Sequence, residues 1–253
     1  MKKIFFGLGF YVLFLAALVS SPALPIFAAN NIISWGLGVS KNEQLPTPPD
    51  FSDTMLKENN GTWVVDTQEK KVFFTFDLGY EAGYTAEVLD ILKENNIKAI
   101  FFLCSNYLQQ DELINRMIAE GHQIGNHTNR HKDLPTLSAQ AAKEDIVLFT
   151  QKFNEKFKAP INTFRPPKGR FNEATLKLAK EQNLKTIMWS IAIQDWGKTP
   201  MDHTAMANKI NSRIHPGAII LSHITNSGTP KMLRLLLPQL AAKGYTVGSP
   251  SEF

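Results

Sequence analysis

The stretch 72–103, VFFTFDLGYEAGYTAEVLDILKENNIKAIFFL, joins an apolar run, a helical pattern and a second apolar run. Val72, Phe73, Phe74, Thr75 and Phe76 are β-prone residues in unbroken succession. Residues 85–94 place Val88, Leu89 and Leu92 at helical spacing, and residues 97–103 return to an apolar run. Strand, helix and strand in this order predict two parallel strands joined by a right-handed helical crossover.

Outward from this unit the alternation continues to the C-terminus. Strands are predicted over 122–125, 162–165, 184–189, 218–221 and 245–247. Helices are predicted over 113–120, 138–157, 173–182, 204–214 and 231–243. Ile146, Phe149, Phe153 and Phe157 form an apolar stripe along the longest helix. The apolar strands imply burial on both faces. With 253 residues, the chain suits one large α/β domain, a distorted (β/α) barrel of about seven strands. Chemistry in such barrels sits at the carboxyl ends of the strands. No internal repeat or low-complexity segment interrupts the pattern.

Residues 1–29 differ from the rest. Lys2 and Lys3 precede an apolar run over 4–19, and small residues follow, ending in Ala28 and Ala29. This is the layout of a secretory signal, with a cut expected beside Ala28. The other reading is an uncleaved anchor tethering the chain through residues 4–19. That run is shorter than the roughly 20 residues of a spanning helix, and Pro22 and Pro25 interrupt its extension. Both readings place the folded part outside the cytoplasm. Residues 30–70 read as an N-terminal arm, broken by Pro46, Pro48 and Pro49 and pinned to the 71–253 domain by Trp35 and Trp63.

Hydrophobic residues make up 43% of the chain and charged residues 20%, which excludes global disorder. Two of the four net positive charges sit on Lys2 and Lys3, and no Lys/Arg run suggests nucleic-acid binding. Cys104 is the single cysteine, so no internal disulfide forms; it reads as a small buried apolar side chain. A monomer is expected.

Polar residues gather where the strands end. Asp77 follows the first strand; alone, such a carboxylate is more often a cap or turn former than a catalyst. His127 and His131 are four apart, so their imidazoles face one point if the segment coils into a helical turn. Imidazole is the commonest metal ligand, although two histidines in a polar loop are more often solvated. His122 reads as a strand residue, and Arg130 is expected to face away from the histidine pair. Arg165-Pro166-Pro167-Lys168-Gly169 is a stiff loop that can aim a guanidinium at a carboxylate. Asp195 and Trp196 follow a strand, as does His223 after Leu221 and Ser222. Trp189 reads as core and Trp196 as the better pocket residue; His203 and His215 receive no role.

Thr75-Phe76-Asp77-Leu78-Gly79, His127-Thr128-Asn129-Arg130-His131, Arg165-Pro166-Pro167-Lys168-Gly169, Asp195-Trp196 and Leu221-Ser222-His223 resemble, in order, the five motifs of polysaccharide deacetylases. These are the carbohydrate esterases that share the NodB-homology domain. The resemblance covers about residues 71–248. Tyr80-Glu81-Ala82-Gly83-Tyr84-Thr85 and Trp189-Ser190 further resemble the subgroup acting on muramic acid of spore peptidoglycan, where deacetylation precedes δ-lactam formation.

The resemblance implies an N-deacetylase of peptidoglycan or a similar N-acetylated glycan. It would depend on one divalent metal ion, zinc first, with cobalt or manganese as alternatives. Asp77 matches the catalytic base, Arg165 the residue orienting it, His223 the general acid and Asp195 its supporting carboxylate. His127 and His131 match metal ligands; Tyr80, Pro167 and Trp196 are expected substrate contacts. The setting implied is the wall or membrane of a Gram-positive-type bacterium. The family's second aspartate, a metal ligand, is here Leu78, which has no donor atom. Leu78→Asp is therefore expected to tighten metal binding. Two other readings stand beside this one. Leu78 favours an impaired glycan-binding protein on a deacetylase fold. A glycosidase using Asp77 and Asp195 leaves the paired histidines unexplained.

Overall fold

The computed structural model describes Met1 and residues 31–49, 51–196 and 202–253. The expected signal or anchor, its cut beside Ala28 and the apolar run 4–19 lie outside the described residues. Among those described, no helix is long and apolar enough to cross a membrane.

The strands are β1 (Ile33–Ser34), β2 (Gly61–Thr62), β3 (Lys71–Leu78), β4 (Ile100–Leu103), β5 (Gln123–Asn126), β6 (Thr163–Phe164), β7 (Arg170–Phe171), β8 (Lys185–Ile187), β9 (Ile191–Ala192), β10 (Ala218–His223) and β11 (Thr246–Val247). The helices are α1 (Ser52–Glu58), α2 (Thr85–Glu94), α3 (Asp111–Ala119), α4 (Ala139–Phe157), α5 (Glu173–Glu181), α6 (His203–Asn211) and α7 (Gly228–Ala242). Each helix and strand expected from residue 71 onward is present, with ends shifted by a few residues.

One curled parallel sheet runs in the order β2-β8-β6-β5-β4-β3-β10-β9, and β11 also pairs with β3. Just past β2, Val64 forms a bridge to Ala218 at the start of β10, one strand in from the β9 end, and the Val65 N–H donates to Gly217 O at 2.9 Å. The sheet thus forms a distorted, incompletely closed (β/α) barrel. It has nine strands rather than about seven because β2 and β9 join. Each has two residues and joins through pairing with strands distant in sequence, β2 with β8 and β9 with β10.

Strand alternation divides the core into two layers. On β3, Val72, Phe74, Phe76 and Leu78 face outward into a cluster with Val88, Leu89 and Leu92 of α2 and Leu233 and Leu236 of α7. Phe73, Thr75 and Asp77 face inward. The barrel interior packs Ile100, Phe102, Ile187 and Ile219 with the C-terminal Phe253, whose ring meets Phe73 edge-on. Gly125 on β5 is required there, since a Cβ would lie 2.4 Å from the Phe102 ring.

The arm is more ordered than its prolines suggested. No helix or strand spans Pro46, Pro48 and Pro49, yet α1 begins at Ser52 and β2 enters the sheet beside β8. Trp35 and Trp63 pack on Phe171, Leu176 and Met188, as expected of pins. Trp35 Nε1 donates to Trp189 O at 2.9 Å and Trp63 Nε1 to Asp53 Oδ1 at 2.7 Å, so each indole pairs its polar edge.

Candidate active site

The site occupies the carboxyl ends of β3, β5, β6 and β10. Register sets its first pair: His223 on β10 lies directly beside Asp77 on β3. Arg165 follows β6 and is fully buried in the barrel mouth. Its Nη1 donates to Asp77 Oδ1 at 2.8 Å and to Thr75 Oγ1 at 2.9 Å. Its Nε donates to Ile187 O at 2.8 Å and its Nη2 to Met188 O at 3.0 Å. The guanidinium also lies over the Phe102 ring, 4.2 Å from its centroid. A buried cation needs partners on this scale, because desolvation alone opposes its charge. Burial likewise opposes the Asp77 charge, but the Arg165 guanidinium and the imidazoles around it outweigh burial and hold the carboxyl below its ordinary value.

His127 and His131 do meet, though not on a helical turn. Thr128 and His131 both have left-handed backbone, with φ of 70° and 53°. The segment doubles back as a loop, and the rings come within 4.9 Å at 61° to each other. Side chains flanking the strand end hold this loop. Asn126 Nδ2 donates to Ile146 O at 2.8 Å and to Thr150 Oγ1 at 3.0 Å, and its Oδ1 accepts from the Thr128 N–H at 2.7 Å. Arg130 points away to α4, as expected, where its Nε meets the buried Asp145 at 2.8 Å. Cys104 is buried and donates its thiol to His127 O. His122 is buried too, its Nδ1 accepting from the Ala99 N–H.

His127 Nδ1 lies 2.8 Å from Arg165 O, which assigns the proton to that nitrogen and leaves a lone pair on Nε2. Nε2 faces Asp77 Oδ2 at 3.5 Å. Burial pushes the His127 pKa down to about 4 and also lowers that of His131. Both rings are therefore neutral near pH 7.

Asp195, fully buried beyond β9, is the anchor of His223. Its Oδ1 lies 2.8 Å from His223 Nδ1, and its Oδ2 accepts from the His223 backbone N–H at 2.6 Å and from Ser222 Oγ at 2.5 Å. Asn226 Nδ2 and Thr225 Oγ1 close on Asp195 O. Burial works against a charged His223, but Asp195 prevails and the imidazole pKa is raised. Ser222 thus serves the carboxylate and makes no serine–histidine pair.

The loop after Arg165 is rigid. Gly169 has φ +63° and presses on Trp189, where a Cβ would lie 2.4 Å from the ring. Pro167 is buried, which makes it a shaper of the loop more than an open face. Tyr80 and Trp196 are 58% and 56% exposed on loops following β3 and β9.

Among the described residues, no group of three or more His, Cys, Asp or Glu is arranged to hold a metal ion. The chemistry of the pair itself suits one: two neutral imidazoles, the first with its second nitrogen bound to a carbonyl, as ligand histidines are. A third donor is missing because Leu78 is 1% exposed and points into the outer cluster, away from Asp77. The donor set therefore fits a loosely held ion rather than a closed three-ligand centre.

An ionised carboxylate, two neutral imidazoles and one imidazole biased toward its charged form share this mouth. Such a set can take a proton from water and deliver one to a leaving group. Sequence reasoning named these residues but missed Thr75, Asn126, Asp145 and Ser222, which hold them. Their signal was their place within two residues of a motif, or one turn into the following helix.

Residues 64–187 match the family model described as polysaccharide deacetylase. That span includes Asp77, His127, His131 and Arg165 and ends before Asp195 and His223. The peptidoglycan-N-acetylmuramic acid deacetylase PdaA of Bacillus subtilis is 33% identical over 223 residues, 87% of this chain and 85% of its own. A peptidoglycan-N-acetylglucosamine deacetylase of Bacillus cereus is 34% identical over 200 residues, 76% of this chain and 91% of its own. The solved structure of Bacillus subtilis PdaA, a family 4 carbohydrate esterase, superposes with a TM-score of 0.84 at 32% identity, covering 88% of this chain and 97% of that one.

Proposed function

The chain belongs to the polysaccharide deacetylase family and is a polysaccharide N-deacetylase, and from this we propose that it removes the N-acetyl group of muramic acid in peptidoglycan. The observation that carries the reading is the pairing, in strand register, of Asp77, bound by Arg165, with His223, whose Nδ1 is bound by Asp195 and whose pKa Asp195 raises. The likeness to PdaA and the Tyr80–Thr85 segment support muramic acid over glucosamine. Deacetylation would free the amine that a separate, later cyclisation onto the lactyl carboxylate of the same sugar, with loss of water, needs to form a δ-lactam. In this reading residues 1–29 direct a monomeric chain to the outside of the cytoplasm, as secreted signal or retained tether.

The reaction is amide hydrolysis. Asp77 accepts a proton as water attacks the acetyl carbonyl carbon. Arg165 keeps Asp77 ionised and fixes its Oδ1, leaving Oδ2 free to face the mouth. The carbon–nitrogen bond breaks as His223 protonates the sugar nitrogen from Nε2, its Nδ1 being held by Asp195. Acetate and a free amine leave. A divalent ion held by His127 and His131 would supply Lewis-acid polarisation of the acetyl carbonyl; two imidazole donors favour zinc, then cobalt, over manganese, which prefers oxygen ligands. Tyr80 and Trp196 offer exposed rings to the glycan.

Mass spectrometry of glycan strands after incubation tests the reading. Loss of one acetyl group from muramic acid, with no new reducing ends, is the expected result. Loss from glucosamine alone would overturn the muramic assignment, and new chain ends would favour a glycosidase. Leu78 supports a second reading, a glycan-binding protein without turnover; glycan binding with no acetate released under any of the three metals would favour it.

A further inference from the structure

The segment between β3 and α2 is fastened by one side chain. Among the described residues, no backbone carbonyl accepts from the N–H groups of Gly79, Tyr80, Glu81, Ala82 or Gly83. The Glu81 carboxylate holds the segment. Its Oε1 accepts from the Gly83 N–H at 2.5 Å and from the Thr85 N–H, at the start of α2, at 3.4 Å. Its Oε2 accepts from the Thr85 hydroxyl at 2.5 Å and from the Tyr107 hydroxyl at 2.6 Å. Gly83 turns at φ +92°, a conformation that glycine adopts without strain. Burial opposes the Glu81 charge, but these donors outweigh it and hold the carboxyl below its ordinary value.

Tyr107 is a fixed post for this clamp. It is fully buried in the short turn Ser105–Gln109 that follows β4. Its N–H donates to Cys104 O at 2.9 Å, and the Cys104 N–H donates to Leu78 O at 3.0 Å. The clamp therefore joins the loop after β3 to a turn already tied to the end of β3. Tyr80 is next to Glu81 and three residues beyond Asp77, a length of chain that spans at most about 11 Å. It stands on the rim of the mouth and is 58% exposed, while the neighbouring Glu81 side chain is turned back to Tyr107.

We infer that Glu81 is a positioning residue for glycan binding: clamped by Tyr107 and Thr85, it holds Tyr80 at the mouth before the sugar arrives. This rests on Tyr80 meeting the glycan, as in the reading above, and assigns the residue that prepares the contact. A ring on an unfastened loop is in place for only part of the time, and apparent affinity falls by that fraction. Fastening the loop in advance removes the cost of ordering it on binding. None of the Glu81 partners is Asp77 or His223, so its effect belongs to KM rather than to the proton transfers.

The test follows acetate release from glycan strands by the full chain and reads KM and kcat separately. Glu81→Ala should raise KM about tenfold, as for a ring in place about a tenth of the time, and change kcat by less than about twofold. Tyr107→Phe, which deletes one hydroxyl, should raise KM about threefold. Glu81→Gln keeps an acceptor for the Gly83 N–H and offers its amide N–H groups to the two hydroxyls, so KM should return to near the wild-type value. Tyr80→Ala should raise KM by itself, and Glu81→Ala should add nothing in that background, because both act through one contact. A Glu81 that only stabilises the fold would add its full effect there, and that additivity overturns the inference. So does an unchanged KM in folded Glu81→Ala, Tyr107→Phe or Tyr80→Ala, or a fall in kcat with KM held. If Glu81→Ala fails to fold, Tyr107→Phe with and without Tyr80→Ala makes the same comparison. All of these leave deacetylation standing. No acetate from wild type with zinc, cobalt or manganese would overturn the deacetylase reading itself, and this inference with it.

Discussion

Arg165 Nη1 donates to Asp77 Oδ1 at 2.8 Å, and the guanidinium's other nitrogens bind the carbonyls of Ile187 and Met188 on the far side of the barrel mouth. One side chain therefore ties the end of β3 to the segment after β8 and sets the charge of the proposed base. Structure and catalysis are linked through it.

Arg165→Met should weaken both. Removing one partner of a buried ion pair costs about 3–5 kcal/mol, readable in urea unfolding. The Asp77 carboxyl, now opposed by burial without its main cation, should titrate at higher pH. Asp77 acts only when ionised, so the acid limb of kcat/KM should move upward. An unchanged acid limb in a folded variant would dissociate Arg165 from the base.

Asp195→Asn should move the opposite limb. His223 donates a proton, so activity is lost as pH rises through its pKa, and Asp195 holds that pKa above its ordinary value. Without the carboxylate, burial prevails and the alkaline limb should shift down by about one pH unit or more. A kcat/KM profile across that limb reads the change, and a fixed limb would contradict the role given to His223.

Leu78→Asp carries a corrected expectation. From the sequence alone it should tighten metal binding. In the structure Leu78 faces the outer cluster with Phe74 and Phe76, so the new carboxylate would be buried there without a partner. Truncating such a leucine to alanine already costs about 2–5 kcal/mol, and an unpaired acid adds desolvation. Thermal unfolding should show a large loss, with zinc affinity by calorimetry unchanged or lower. Tighter zinc binding in a chain of wild-type stability would show that the strand end rotates to use the new ligand.

Much of this was legible in the sequence. The apolar runs around Val72–Phe76 and Ile100–Leu103 have no soluble home except a sheet covered on both sides, and the helical spacing between them dictates the crossover. The side of β3 that Leu78 occupies was also readable, since it shares parity with Phe74 and Phe76. Comparison of motifs drew attention to its missing donor rather than to its direction. The strands β2 and β9 were not legible, because their place in the sheet depends on pairing with β8 and β10. The left-handed backbone at Thr128 and His131 was hidden for a similar reason: contacts from Asn126 and from Asp145 on α4 hold the loop, and none is encoded by local propensity. Asp195 was named from a motif. Its clasp on Ser222 and the His223 backbone emerges only when the segment after β9 lies beside the end of β10.

The most direct measurement compares acetate release by wild type and Asp77→Asn on the same glycan, with folding checked by circular dichroism. The substitution keeps an oxygen for Arg165 but removes the group that accepts the proton. Stability should fall by up to about 3 kcal/mol, and turnover by about a thousandfold or more, while wild type releases acetate without cutting the glycan. A folded Asp77→Asn chain that releases acetate at a rate near wild type would contradict the account.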